Sequence, residues 1–126
     1  SLKSIFLRDF VIVHALEIEL ADGFSVLTGQ TGAGKSILID ALQLALGARA
    51  DASMVREGAA RCEISACFDC PQDLRARLDD AGIDASDDLL LKRTIDAQGK
   101  SRAWINGSPA TATVVRAGNG AEKRVV

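Results

Sequence analysis

The chain has 126 residues, of which 48% are hydrophobic and 25% charged, with a formal net charge of -2. This composition is typical of one globular domain with enough apolar material for a core, and it argues against disorder. The near-neutral balance gives no global sign of a nucleic-acid or anionic-membrane partner, so any such contact must be local. Because no stretch approaches the roughly 18 apolar residues of a membrane span and no secretory leader opens the chain, we expect a cytoplasmic protein without membrane contact.

The N-terminal part predicts strands followed by a helix. Apolar and β-branched residues dominate 2–13 and 15–28, which we expect to form two or three strands, the last of them FSVLT at 24–28. From Lys35 onward apolar residues recur at helical spacing as far as Leu46, and Gly47 is placed to end the helix. A strand, a glycine-rich loop and a helix therefore follow one another.

The second half predicts a strand, a short helix and a hairpin. CEISACF at 62–68 alternates like a strand, and the segment 71–83 is expected to form a helix opened by Pro71. Residues 89–95 and 101–107 should pair around the turn DAQGK. We expect residues 1–116 to form one unit and 117–126 to be a tail or linker leading toward a further strand, in a chain that is a fragment.

Three cysteines, Cys62, Cys67 and Cys70, are an odd number for a secreted disulfide framework. The last two have CxxC spacing, which would suit a redox or zinc site. A structural zinc ion usually needs four ligands, yet there is no second CxxC and the single histidine, His14, is distant in sequence. We therefore expect reduced and partly buried thiols.

The strongest motif is GQTGAGKS at 29–36, which satisfies the P-loop pattern GxxxxGKS. Glycines let successive backbone N–H groups turn inward around phosphate oxygens, and the following helix adds the partial positive charge of its N-terminus. Lys35 would supply a full charge to the β- and γ-phosphates, and the Ser36 hydroxyl would ligate magnesium. A plain strand-to-helix turn is the alternative, but the strand before and the amphipathic helix after the loop favour a nucleoside triphosphate.

Residues well beyond the P-loop resemble a known family. The opening LxxIFLRDFVIV, the loop GQTGAGKSILIDAL, the following GARADASMVREGA and the later hairpin SRAWINGSPA are similar to those of the RecN family of bacterial DNA repair proteins, relatives of the SMC ATPases. The resemblance covers about residues 2–115. Two features depart from the family pattern: Gln30, where glutamate is expected, and the tail at 117–126.

The resemblance implies an α/β fold of the P-loop NTPase class: the N-terminal lobe of an ABC/SMC-type ATPase head, with an antiparallel β subdomain and a mixed sheet around the P-loop helix. In that family ATP, with Mg²⁺, is held between two heads, one contributing the P-loop and the other its signature motif. On that pattern the chain is half an active site, and the parts it would lack are the Q-loop glutamine, the signature serine, the acidic Walker B pair and the switch histidine. The implied partners are DNA, the C-terminal segment of the same head and a second head in an ATP-dependent dimer.

The implied role is ATP hydrolysis in DNA double-strand break repair and recombination, in the bacterial cytoplasm at the nucleoid. Lys35 is the expected catalytic residue, Ser36 the metal ligand, and Arg8 lies near the nucleotide in SMC-like heads, although an arginine there is as often solvated. The full set of expected nucleotide-binding residues is Gly29, Gln30, Thr31, Gly32, Ala33, Gly34, Lys35, Ser36, Ile37 and Arg8.

Two other functions stay open at this point: a small-molecule kinase, and a nucleotide-gated interaction module without turnover. A kinase would usually place its P-loop after the first strand rather than after an antiparallel set. A local excess of Lys92, Arg93, Lys100 and Arg102 would suit DNA phosphates. Because alternate strand residues face opposite sides, Lys92 and Arg93 do not share a face, and we assign no DNA contact to this hairpin.

Overall fold

The computed structural model describes residues 2–20, 32–84 and 86–110, with the backbone alone for 32 and 33. Its six strands are β1 Leu2–Phe10, β2 Val13–Glu19, β3 Arg61–Asp69, β4 Asp88–Asp96, β5 Ser101–Ile105 and β6 Ser108–Ala110. Its helices are α1 Gly32–Ala45, a short 3-10 helix Ala52–Met54, and α2 Gln72–Asp80. Neither α1 nor any other helix of the described residues is long and apolar enough to cross a membrane.

The strands form one sheet in the order β2-β1-β3-β4-β5-β6, and every neighbouring pair is antiparallel. Alternation of side chains explains its two faces. In β3, for example, Cys62, Ile64 and Ala66 are buried, while Glu63 and Ser65 between them are only half-buried. The antiparallel subdomain and the hairpin are therefore confirmed. The strand FSVLT and the tail 117–126 lie outside the described residues, so the mixed part of the sheet stays a prediction.

The core lies between the inner face of this sheet and α1. Leu38, Ala41 and Leu44 recur along α1 at helical spacing and are buried with Leu7 and Ile64 of the sheet. Leu38 and Ala41 belong to the apolar positions that predicted the helix, and the burial of Leu44 is an addition of the structure. Burial of this face, rather than the helical propensity of a glycine-rich start, holds α1 in place.

The two ends of α1 differ in how well the sequence predicted them. The helix begins at Gly32, three residues before the predicted Lys35, and ends at Ala45. Gly47 has φ 106°, a left-handed conformation, and its N–H donates to Leu44 O at 3.1 Å while Ala48 N donates to Gln43 O at 3.0 Å. This pair of hydrogen bonds is a Schellman C-cap. The predicted helix stop at Gly47 is confirmed.

The hairpin turns of the C-terminal half follow from local chemistry. Between β4 and β5, the Asp96 carboxylate accepts hydrogen bonds from Gln98 N and Lys100 N. Between β5 and β6, Asn106 and Gly107 both have positive φ, 49° and 85°, as a type I′ turn requires. Asn106 also accepts from Leu90 N and donates to Asp84 O, so the turn is tied to its surroundings.

The turn from β1 to β2 carries backbone strain. Asp9 and Val11 have φ 52° and 54°, a region that β-branched residues such as valine rarely adopt. The segment after α1 holds this turn, because Arg56 bonds Asp9 through both its backbone (2.7 Å) and its side chain (2.9 Å). Val11 N donates in addition to Met54 O at 2.8 Å.

Candidate functional site at the start of the P-loop helix

The first turn of α1 presents polar side chains to solvent directly beside the core. Lys35 and Ser36 are exposed, the next residue, Ile37, is half-buried against the core, and Leu38 is fully buried. Successive side chains point about 100° apart around a helix of 3.6 residues per turn, so exposed and buried positions follow one another within a single turn. No acidic residue occurs in the first turn, so no carboxylate of that turn opposes an anion there.

The helix contains the second half of the P-loop. Gly32, Ala33 and Gly34 are helical, although the sequence placed them in a loop, and Lys35 and Ser36 follow in the same turn. The first N–H groups of a helix point out of its end, which makes this turn suited to an anion. Gly29, Gln30 and Thr31 lie outside the described residues. The structure therefore brings together the expected residues from Gly32 to Ile37 on one helix.

Arg8 lies elsewhere on the described structure. It is exposed on β1, with its guanidinium carbon 5.7 Å from the centre of the Phe6 ring. Its neighbour Leu7 is fully buried on the face that packs against α1, so strand alternation places Arg8 on the opposite face. A contact between Arg8 and nucleotide stays a prediction.

The Walker B pattern is an apolar strand that ends in two acidic residues, and its nearest match in the described residues, RLDD at 77–80, lies on helix α2. Asp79 and Asp80 end α2 and are exposed. Asp40, on α1 itself, is also exposed. A Walker B acid is expected at the end of a buried strand, where it can position water and metal near phosphate. None of these three aspartates has that setting.

Lys92 and Arg93 of the β4–β5 hairpin lie on opposite faces of the sheet. Lys92 lies over the Trp104 ring, 5.0 Å from its centre, and 3.9 Å from the Glu63 carboxylate. Arg93 points to the other face and is buried, 3% exposed. The strand alternation seen in the sequence is confirmed. What the sequence did not predict is the partner of Arg93, which is the end of α1.

The CxxC pair shows no sign of reactive thiols. Burial is the largest influence on Cys62, Cys67 and Cys70, and it raises the pKa of each thiol above its ordinary value. Reactive cysteines require the reverse, a lowered pKa. Within residues 2–20, 32–84 and 86–110, no three side chains of the metal-binding types come together as a possible metal site.

The sequence of this chain is similar to a known domain family and to named proteins. A family model described as an AAA domain matches residues 4–101. DNA repair protein RecN of Xylella fastidiosa (strain Temecula1) is 46% identical over 112 residues, which are 87% of this chain and 20% of that protein. RecN of Vibrio cholerae is 46% identical over 110 residues, 86% of this chain and again 20% of the relative. The chain thus spans about one fifth of the length of these curated relatives.

Solved structures show the same fold at low sequence identity. A chain from work on ATP-driven dimerization and DNA-stimulated activation of SMC ATPases superposes with a TM-score of 0.71 at 23% identity, covering 91% of this chain and 75% of that one. The SMC head domain from Thermotoga maritima gives 0.62 at 20% identity, covering 91% of this chain and 40% of the other. The chain belongs to the AAA domain family, is similar to the N-terminal part of the DNA repair protein RecN, and has the fold of an SMC-type ATPase head.

Proposed function

We propose that this chain is the nucleotide-binding part of the ATPase head of a RecN-like DNA repair protein, and that ATP and Mg²⁺ bind at the start of α1. The observation that carries the proposal is the coincidence of GxxxxGKS with the first turn of a core-packed helix on which Lys35 and Ser36 are exposed. The likeness to RecN and to SMC heads supports it.

The residue roles follow from the chemistry of phosphate. The Lys35 ammonium would bind the β- and γ-phosphates, and the backbone N–H groups of the loop residues 29–34 would surround the phosphate oxygens. Ser36 offers its hydroxyl to the metal. Thr31 is a second hydroxyl for phosphate, and Gln30 and Ile37 flank the site. When bound, magnesium neutralises charge that develops between the β- and γ-phosphates.

We do not expect this chain to hydrolyse ATP by itself. The aspartates closest to a Walker B pattern, Asp79 and Asp80, end α2 in solvent, and hydrolysis needs a group that orients water at the γ-phosphate. We propose that this group comes with the C-terminal segment of the head, and that ATP brings two heads together. A structure similar to this chain comes from work on ATP-driven dimerization of SMC ATPases, which supports the pairing of two heads by ATP.

The biological setting of the proposal is double-strand break repair and recombination at the bacterial nucleoid, with DNA bound by the longer protein. The named relatives are DNA repair proteins, and this supports the setting. Among the other functions, a small-molecule kinase is disfavoured because the chain has the fold of SMC heads. The chain would instead be a nucleotide-gated interaction module if it binds ATP but no ATP is hydrolysed when the C-terminal segment and a second head are added.

Calorimetric titration of the chain with ATP and magnesium tests the proposal. Lys35→Ala should weaken binding roughly thirtyfold, because a hydrogen bond to a charged group is worth about 2 kcal/mol. Lys100→Ala is the matched control: it removes the same charge from an exposed position in the β4–β5 turn. Equal affinities of the Lys35→Ala and unmodified chains would refute the assignment of the site.

A further inference from the structure

A single buried arginine joins the sheet to the end of the P-loop helix. The guanidinium Nη1 of Arg93 donates to the backbone oxygens of Leu44 and Ala48, each at 2.8 Å. Its Nε donates to the Ser101 hydroxyl at 2.7 Å on the neighbouring strand β5. Arg93 is 3% exposed. Hydrogen bonds from a buried charged group are among the stronger ones in proteins, so this contact fixes the geometry of what it holds.

The two backbone acceptors lie on either side of the helix stop. Leu44 is in the last turn of α1, and Ala48 is the first residue beyond Gly47. Leu44 O already accepts from Gly47 N, and Ala48 N donates to Gln43 O, in the Schellman cap. Arg93 therefore binds the final turn of the helix and the segment that leaves it at once, which fixes both the end point of α1 and the direction of the chain after it.

The charge of Arg93 also matches its position. The last turn of α1 contains no basic residue. A helix C-terminus has partial negative charge and favours a cation, and here β4 supplies one from outside the helix. The sheet thus completes the helix end both by hydrogen bonding and by charge.

We propose that Arg93 is a positioning residue for nucleotide: by fixing the C-terminal end of α1 against β4 and β5, it sets where Lys35 and Ser36 stand at the other end. This inference rests on the proposed nucleotide site. The 14 residues of α1 span about 21 Å at about 1.5 Å per residue. A tilt of about 3° at the anchored end would shift the phosphate-binding end by about 1 Å, and a misplacement of that size can cost about a hundredfold in rate where a reaction depends on alignment.

The test compares Arg93→Met with Ile95→Ala in the same chain, using magnesium and a non-hydrolysable ATP analogue below the melting onset of each variant. Both residues are buried on the same face of β4, but the Ile95 side chain makes no hydrogen bond to α1. We expect Arg93→Met to weaken analogue binding by about tenfold or more and Ile95→Ala by less than about twofold, although both lower the melting temperature. Backbone hydrogen exchange along 34–47, measured relative to exchange in β1 and β3, should quicken in Arg93→Met but not in Ile95→Ala.

Two milder variants keep the test decisive if Arg93→Met does not fold. Arg93→Lys keeps the charge without the planar donor set, and should weaken analogue binding about threefold or more. Ser101→Ala keeps both bonds to α1 and should leave binding within about twofold. The inference is overturned if folded Arg93 variants bind like the unmodified chain, or if Ile95→Ala weakens binding equally. Absence of binding by the unmodified chain would instead contradict the proposed nucleotide site itself.

Discussion

At the scale of single residues, the thiols show how burial sets reactivity. Cys62 is fully buried in β3, Cys70 is buried just after that strand, and Cys67 is half-buried between them. Desolvation disfavours the thiolate, which raises the pKa of all three. Because the thiolate is the nucleophile, less of it is present at a given pH than for a free cysteine, whose pKa is about 8.5.

We therefore expect slow alkylation of the folded chain by iodoacetamide at pH 7.5, with a rate that keeps increasing as the pH passes about 8.5. Peptide mass spectrometry should find Cys67 modified first and Cys62 last, in the order of their exposure. The chain unfolded in urea is the control and should react faster at all three positions. Modification of the folded chain at the unfolded rate at pH 7.5 would contradict the burial argument.

Arg93 marks the limit of what sequence shows at this scale. Strand alternation already placed it on a different face from Lys92, and the structure confirms this. Its hydrogen bonds to Leu44 O and Ala48 O connect residues more than 40 positions apart and depend on how α1 lies across the sheet. No local sequence pattern encodes such a contact. In the sequence, Arg93 could therefore be recognised only as one of four basic residues in a hairpin.

At the scale of elements, the β1–β2 turn combines strain with strong anchoring. Val11 adopts φ 54° while 36% exposed, so it gains little burial in return for an unfavourable backbone. The left-handed conformation costs an L-residue about 1–2 kcal/mol, which glycine avoids. Asp9, on the other side of Phe10, is held by Arg56 and keeps the turn closed.

Val11→Gly should therefore change the free energy of unfolding by less than about 0.5 kcal/mol, because relief of strain offsets the entropy cost of glycine. Val13→Gly is the control: Val13 packs against the core in β2, outside the positive-φ region, and its replacement should cost about 1–2 kcal/mol. Urea unfolding of both variants measures the difference. Equal losses would show that Val11 is not strained.

The predicted elements were most accurate where packing and pattern agree. The buried side of α1, the strand β3 and the β4–β5 hairpin all follow from apolar periodicity and turn residues. The start of α1 was placed three residues late, because Gly32, Ala33 and Gly34 have no apolar periodicity and glycine costs about 1 kcal/mol in a helix. Helical geometry there has to come from tertiary structure rather than from propensity.

At the scale of the whole molecule, the chain corresponds to part of longer relatives. It spans about one fifth of its curated RecN relatives, and its described aspartates Asp79 and Asp80 lie at the exposed end of a helix. We expect ATP turnover by the chain alone to stay near the buffer rate. Adding the C-terminal head segment of a RecN-like protein should raise it by about tenfold or more.

The measurement is the rate of phosphate release from ATP, first with the chain alone and then with the chain plus the C-terminal head segment. The same segment combined with the Lys35→Ala chain is the control and should leave the rate near that of the segment alone. Turnover by the unmodified chain without any added segment would contradict the division of the active site, while the nucleotide site would stand.

Backbone amide chemical shifts would locate the nucleotide on the chain directly. Titration of the ¹⁵N-labelled chain with magnesium and a non-hydrolysable ATP analogue should give saturable shifts concentrated at residues 29–37. They should vanish in Lys35→Ala and persist in Lys100→Ala. Saturable shifts confined to other parts of the chain, or equal shifts in Lys35→Ala, would contradict a nucleotide site at the start of α1.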